Sequence, residues 1–248
     1  MNSFIDIAQL ESFDKSLFLN NKHFPWYNFN KLLYPQAFNA LLADFPSLNM
    51  FEKHEGIMRK ASQRPHNRYY LAYESSIYHK DSKEGTIKHE ELPLVWQQFI
   101  EELANNQTYL SFMKDVLGID EFDIRYAWHM GVTHSEVSPH NDSREKAGTH
   151  IFYFNTSEDW NKNWGGEILV LGDKKIRADN PDFSNFGEII HSEILDNHSF
   201  LFKNQPSAWH GVKTLTSPEG HYRRLFNVIF EIPEHRRKKS LLKKIFGQ

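Results

Sequence analysis

Between Asp123 and Ile232 the sequence takes up the period of a β-strand and keeps it. In Asp123 to Val132 the residues Ile124, Tyr126, Trp128 and Met130 alternate with Arg125, Ala127 and His129, the pattern of a half-buried strand. Hydrophobic runs follow at Thr149–Asn155, Glu167–Leu171, Glu188–Leu195, Ser199–Lys203, Gly211–Leu215 and Tyr222–Ile232, with turn residues between them. No helical segment of useful length intervenes. Parallel neighbours need long crossovers, usually helical, so the pattern predicts an antiparallel double sheet.

The preceding residues read differently. His23 to Tyr27 predicts a short strand, and Asn30 to Phe45 a helix with an apolar stripe at Leu32, Leu33, Phe38, Leu41 and Leu42. Pro35 either weakens its first turn or marks its true start. Residues 47–90 are mixed and polar, with a candidate strand at Tyr69–Tyr73 and a loop at Asp81–Lys88. A second helix starts near Pro93 with Trp96, Phe99, Ile100 and Leu103 on one face. A third, with Thr108 as its candidate cap, carries Phe112, Met113, Val116 and Leu117 and stops at Gly118. One domain over 1–248 is expected: a strand-and-helix flank (1–120), a β core (121–235) and a basic tail (236–248). The fold class is mainly β with flanking helices (α+β).

Composition narrows the chemistry. There are no cysteines, which removes disulfides, thiolate metal sites and cysteine nucleophiles. The net charge of −3 gives no general attraction to nucleic acid. The first residues lack the apolar segment of a secretory signal, and no run reaches the roughly 20 apolar residues of a membrane helix. A cytoplasmic location is the expectation. The tail alternates Arg236, Arg237, Lys238, Lys239, Lys243 and Lys244 with Leu241, Leu242, Ile245 and Phe246. It reads as a solvated end or as a basic amphipathic turn making peripheral contact with an anionic membrane.

The chemical signal is His140-Asn-Asp142, two ligand types on one face of an extended segment. A third ligand from a distant strand, His210 in AWHGV, would complete two imidazoles and one carboxylate. That facial set leaves adjacent positions open and suits non-haem Fe(II). The spacing alone is weak, since His79-Lys80-Asp81 repeats it in a polar loop with no strand after it. His140 and Asp142 differ in following an alternating aromatic strand and preceding a strong one, and small Gly211 follows His210. Of the remaining histidines, His129, His134, His150, His191, His198 and His221 read as surface or structural.

Taken in order, these features resemble the iron(II)/2-oxoglutarate-dependent oxygenases, in particular the prolyl-hydroxylase-like branch. The resemblance covers 124–232: aromatic strand, His140-x-Asp142, the strand HIFYFN, a loop with Trp160 and Trp164, the turn Gly165-Gly166-Glu167, His210-Gly-Val, then an arginine-bearing strand. The opening HFPWYNFNKLLYPQAFNALLADFP also looks like the first strand and helix of bacterial members. The resemblance implies a double-stranded β-helix, or jelly roll, with the N-terminal helices packed outside. It implies His140, Asp142 and His210 as iron ligands and catalytic residues, with 2-oxoglutarate and O2 as cosubstrates and ascorbate as an optional addition. The far carboxylate of 2-oxoglutarate needs a cation. Arg223, opening the last strand, fits the family pattern better than Arg224, though alternation along YRRLFNVIFEI leaves both open; Tyr153 matches a tyrosine that assists there. Asn155 is a further candidate beside the cosubstrate, or a strand-end turn residue. Tyr126, Trp128 and Met130 are weak candidates for the pocket wall, an aromatic stripe in a strand being more often plain core, and Arg144 and Lys146 are candidates for an anionic substrate or simply part of a solvated loop.

The implied reaction is hydroxylation of an unactivated C–H bond in a small molecule, saccharide or peptidyl residue, with release of succinate and CO2. Halogenating members lack the ligand carboxylate, so Asp142 argues for hydroxylation. A different class of reading is a non-catalytic jelly roll that senses iron, 2-oxoglutarate or a sugar. A zinc hydrolase would leave the arginine strand and Tyr153 unexplained.

Overall fold

The computed structural model describes residues 3–56, 64, 67–77 and 84–234. The second His-x-Asp at 79–81 and the basic tail at 236–248 lie outside the described residues.

Two short helices open the chain, α1 (Ile7–Glu11) and α2 (Ser16–Leu19), followed by strand β1 (Trp26–Asn30). Helix α3 (Pro35–Ala43) starts later than its apolar stripe predicts. Pro35 occupies its first turn, where a missing N–H costs nothing, and residues 26–30 pair as a strand instead. Strands β2 (Glu52–His54), β3 (Arg68–Tyr73) and β4 (Thr86–Ile87) lead to α4 (Leu94–Asn105) and α5 (Gln107–Leu117). The cap of α5 is Asn106 rather than Thr108: its Oδ1 accepts from the Tyr109 amide at 3.0 Å. Gly118, at φ 67°, ends the helix in the left-handed conformation that glycine adopts without strain.

The remaining strands are β5 (Asp123–Gly131), β6 (Val137–His140), β7 (Lys146–Tyr153), β8 (Leu169–Lys174), β9 (Phe186–His191), β10 (His198–Lys203), β11 (His210–Val212) and β12 (Arg223–Glu231). From β5 onward the chain passes between two sheets, as a jelly roll requires. The larger has the order β1-β10-β7-β12-β5-β3-β2, with β4 also on β3; the smaller has β6-β11-β8-β9. Every pairing is antiparallel except β3 with β4.

The larger sheet has two unlike faces. On the outer face, Tyr126, Trp128, Phe152, Phe226, Val228 and Phe230 pack under the helices with Trp96, Phe99, Ile100 and Leu103 of α4. Trp96 lies 5.2 Å from Trp128 and 5.1 Å from Phe226 between ring centroids, both edge-on, the favoured aromatic geometry. The inner face meets the smaller sheet through a second cluster that includes Ile151, Phe200, Phe202, Val170, Val212 and Leu225. Both sheets then open onto one cavity.

Candidate metal centre

Strands β6 and β11 are antiparallel neighbours, and His140 sits directly opposite His210. Their rings lie 4.4 Å apart between centroids. Each imidazole is hung from a carbonyl two residues earlier: His140 Nδ1 is 3.0 Å from the Ser138 oxygen, and His210 Nδ1 is 2.9 Å from the Ala208 oxygen. A carbonyl can only accept, so each Nδ1 carries the proton and Nε2 is the ring nitrogen that can serve as a metal ligand. Asp142 lies just past the end of β6. Its Oδ1 is 3.9 Å from His140 Nε2, and the three side chains offer ligand atoms within 4.8 Å of one another. Gly211 must be small here, because a Cβ would lie 2.8 Å from the Val137 carbonyl.

A third partner is present. Lys146 Nζ donates to Asp142 Oδ1 at 2.8 Å. Burial by itself drives the Asp142 carboxyl upward. Lys146 and then the two imidazoles outweigh that burial and hold it well below the ordinary carboxylate range.

The three groups border a cavity of about 730 Å³. Arg223 lines the same cavity and is 7% exposed. Among the described residues it has no ion-pair partner. Its Nε donates to the Gly166 carbonyl, and its guanidinium lies 5.4 Å from the Tyr153 ring centroid. Gly166, at φ 103°, explains the Gly-Gly turn: a Cβ there would stand 3.0 Å from Arg223 Cδ. Burial lowers the Arg223 pKa, while Tyr153 and Glu167 oppose the shift. The buried Tyr153 hydroxyl stands beside Arg223 and Ser192 without a well-formed hydrogen bond, and burial pushes its pKa up to about 12.

The two arginines separate by strand parity. Arg223, Leu225, Asn227 and Ile229 line the cavity, whereas Phe226, Val228 and Phe230 enter the helix-covered core. Arg224 is ion-paired with Asp159 outside the cavity, so it is not a cavity cation. Asn155 is also displaced from its expected role. Its Oδ1 accepts from the Arg224 amide at 2.7 Å and its Nδ2 donates to the Tyr222 carbonyl at 2.9 Å. It fastens the start of β12 and does not face the cavity.

Tyr126, Trp128 and Met130, weak candidates for the pocket wall, do not line this cavity. All three belong to the helix-covered core, the commoner fate of an aromatic stripe in a strand. Their polar alternates Arg125 and His129 line the cavity. His129, read from sequence as surface or structural, is a cavity residue whose Nε2 lies 3.2 Å from Asn227 Nδ2. His150 is structural, bonded at 3.0 Å to both Tyr109 and Ser199. Arg144 does line the cavity, at its exposed edge. Lys146, paired with Arg144 in the sequence reading, also lines the cavity, and sequence reasoning missed Arg125, Thr149 and Asn227, together with His54, Arg68 and Tyr70 from the poorly patterned 47–90 segment. Alternation in β5 and β12 carried the signal for Arg125 and Asn227; nothing comparable marks His54 or Arg68.

No family model and no curated protein matches the sequence. Solved structures do match in three dimensions. A prolyl hydroxylase from Trichoplax adhaerens, in complex with a hypoxia inducible factor oxygen degradation domain peptide fragment, superposes with TM-score 0.57 at 10% identity, covering 92% of this chain and 87% of that one. A prolyl-4-hydroxylase from Pseudomonas putida gives TM-score 0.57 at 13% identity, over 91% and 100%. SnoK, a non-heme alpha ketoglutarate dependent carbocyclase from nogalamycin biosynthesis, gives 0.56 at 12%, over 90% and 85%. The chain therefore has the jelly-roll fold found in prolyl hydroxylases and other 2-oxoglutarate/Fe(II) oxygenases.

Proposed function

We propose that this protein is an Fe(II)- and 2-oxoglutarate-dependent dioxygenase that hydroxylates a C–H bond of a small molecule, saccharide or peptidyl residue. One observation carries the reading: a two-histidine, one-carboxylate cluster opens onto the same cavity as a buried arginine that has no ion-pair partner among the described residues. The donor set fits the metal. Facial ligand atoms at about 2.1 Å from one ion stand about 3.0 Å from each other, so a set that now lies within 4.8 Å must draw together around the metal by side-chain rotation. Three protein ligands on one side leave room for a chelating cosubstrate and oxygen.

The metal and 2-oxoglutarate would supply the oxidation, coupled to formation of succinate and CO2. The chain supplies position and charge. His140 and His210 present Nε2 because backbone carbonyls fix their tautomers. Asp142 contributes an ionised carboxylate steadied by Lys146. Arg223, pinned through Nε, offers the rest of its fork to the far carboxylate of the cosubstrate, with the Tyr153 hydroxyl beside it. Ile151, Ile168, Phe202 and Leu225 give the cavity apolar walls, which limits competing water.

Anaerobic addition of Fe(II) and 2-oxoglutarate to the metal-free protein tests this. The expected result is the weak visible charge-transfer band of the chelate, lost in His140→Ala, and succinate formation when air is admitted. A folded protein that gives no band would remove the proposal. A band without oxygen-dependent succinate would favour a sensing module.

A further inference from the structure

The charges around the cavity say more about what enters it. Its charged lining comprises the cations Arg68, Arg125, Arg144, Lys146 and Arg223 against the carboxylates Asp142 and Glu145. The whole chain has the opposite sign, with net charge −3. The positive excess is therefore a local property of this concave surface, where apolar walls focus the field.

The proposed cofactors do not use up this excess. A divalent metal is met by Asp142 and one carboxylate of 2-oxoglutarate, and Arg223 meets the other. Lys146, Arg125 and Arg144 then face Glu145 and, behind Arg125, Glu231. One positive charge remains among these groups.

Geometry makes part of that excess available. Arg125 is braced from behind: Glu231 Oε1 accepts from its Nε and Nη2, each at 3.0 Å. A guanidinium has five N–H donors, so three are left, and the fork has lost little freedom to present them. Arg144 is exposed at the cavity edge and has no ion pair among the described residues. The wall of the same cavity carries two side-chain oxygens that are buried and lack hydrogen-bond partners, Thr149 Oγ1 and Asn227 Oδ1. Thr149 itself is 4% exposed. Ile229 is paired with Thr149 on one side and Arg125 on the other, so all three lie in one row across the sheet. An unpaired buried hydroxyl is costly, and a polar ligand over this row would satisfy it.

From this arrangement we infer that the substrate is a polar anion, carrying a carboxylate or a phosphate ester that Arg125 and Arg144 receive, with hydroxyl or amide groups that reach Thr149 and Asn227. A neutral prolyl side chain has no use for such a wall. The inference rests on the dioxygenase reading and narrows its substrate class.

The test is calorimetric titration of protein loaded with Mn(II) and saturating 2-oxoglutarate, using glycerol 3-phosphate, malate and neutral glycerol as probes. At least one anion binds and glycerol does not. Binding weakens roughly tenfold or more in Arg144→Gln, an exposed change that leaves folding intact, and further in Arg125→Gln. Preference for glycerol 3-phosphate identifies a phosphate ester, and preference for malate a carboxylate. Absence of anion binding, or binding unchanged in Arg144→Gln and Arg125→Gln, overturns the inference. The 2-oxoglutarate band is recorded on the same samples with Fe(II). Its presence shows that a failure belongs to the anion site, and its absence that the dioxygenase reading itself has failed.

Discussion

Replacing Lys146 by methionine should destabilise the metal-free protein and tighten its hold on metal. The ammonium lies 2.8 Å from Asp142 Oδ1, with Asp142 10% and Lys146 23% exposed in their side chains. At that distance an effective dielectric near 20 gives about 6 kcal/mol of attraction. Desolvation and the ordering of a long side chain offset much of it. Breaking a fully buried pair costs about 3–5 kcal/mol, and the partial exposure of Lys146 brings the expected loss to about 2–3 kcal/mol. Methionine keeps the volume, so packing contributes little. A divalent ion changes the balance, since it satisfies the carboxylate and repels the ammonium. With saturating Mn(II) the deficit should shrink to below about 1 kcal/mol. Linkage then requires the variant to bind Mn(II) roughly 5- to 30-fold more tightly. Urea unfolding of both proteins, in EDTA and in Mn(II), measures all four corners of the cycle. Equal deficits with and without metal would refute the reasoning, because Lys146 would then act on the fold and not on the metal carboxylate.

Arg223→Leu should weaken 2-oxoglutarate binding by roughly 100-fold, the loss of a bidentate charged contact, while Mn(II) affinity stays near that of the parent; an unchanged charge-transfer titration would contradict the assigned carboxylate contact. Gly166→Ala should act on the same titration in the same direction, since its Cβ would press on Arg223 Cδ at 3.0 Å; a normal 2-oxoglutarate affinity would show that the Gly-Gly turn does not seat the arginine. Burial depresses the His150 pKa from 6.5 to about 3. The unfolded chain therefore takes up this proton first as pH falls, so the contribution is full above about 6.5 and is lost toward 3, at roughly 1.4 kcal/mol per unit across that window. His150→Phe should flatten the acid limb of stability against pH, and an unaltered slope would exclude His150 as its source.

What the sequence disclosed, and what it hid, follows from how each residue is held. His140, Asp142 and His210 were legible because a ligand set needs fixed residue types on adjoining strands. The helices at Leu94–Asn105 and Gln107–Leu117 were legible because their apolar stripes pack on one side only. The aromatic stripe of β5 left the wall of the cavity open, since such a stripe is a weak candidate for a binding surface and more often core. Here the stripe faces the helices, and the inner face is the more polar one. Arg223 and Arg224 could not be separated by alternation while the identity of the inner face was open; once Phe226 and Phe230 are seen under α4 and α5, parity decides. Lys146 was legible only as a cation near the site; its bond to Asp142 was hidden because it depends on the turn at 142–146 that brings it back to that carboxylate. His54 and Arg68 come from strands too short to show a period.

Interleaving two faces on β12 also bears on how such a chain can change over evolutionary time. Even-numbered positions from Phe226 to Phe230 answer to the helices, and odd-numbered positions from Arg223 to Ile229 answer to whatever occupies the cavity. Point substitutions can therefore retune selectivity without touching the hydrophobic layer, one residue away in the sequence and a full sheet thickness away in space. Insertion or deletion of a single residue inside the strand has no such freedom. It would exchange the two sets at a stroke, sending phenylalanines toward the cavity and arginine under the helices. Lineages descended from this sequence should vary by substitution at Leu225, Asn227 and Ile229, hold Arg223, and keep the length of Arg223–Glu231 unchanged.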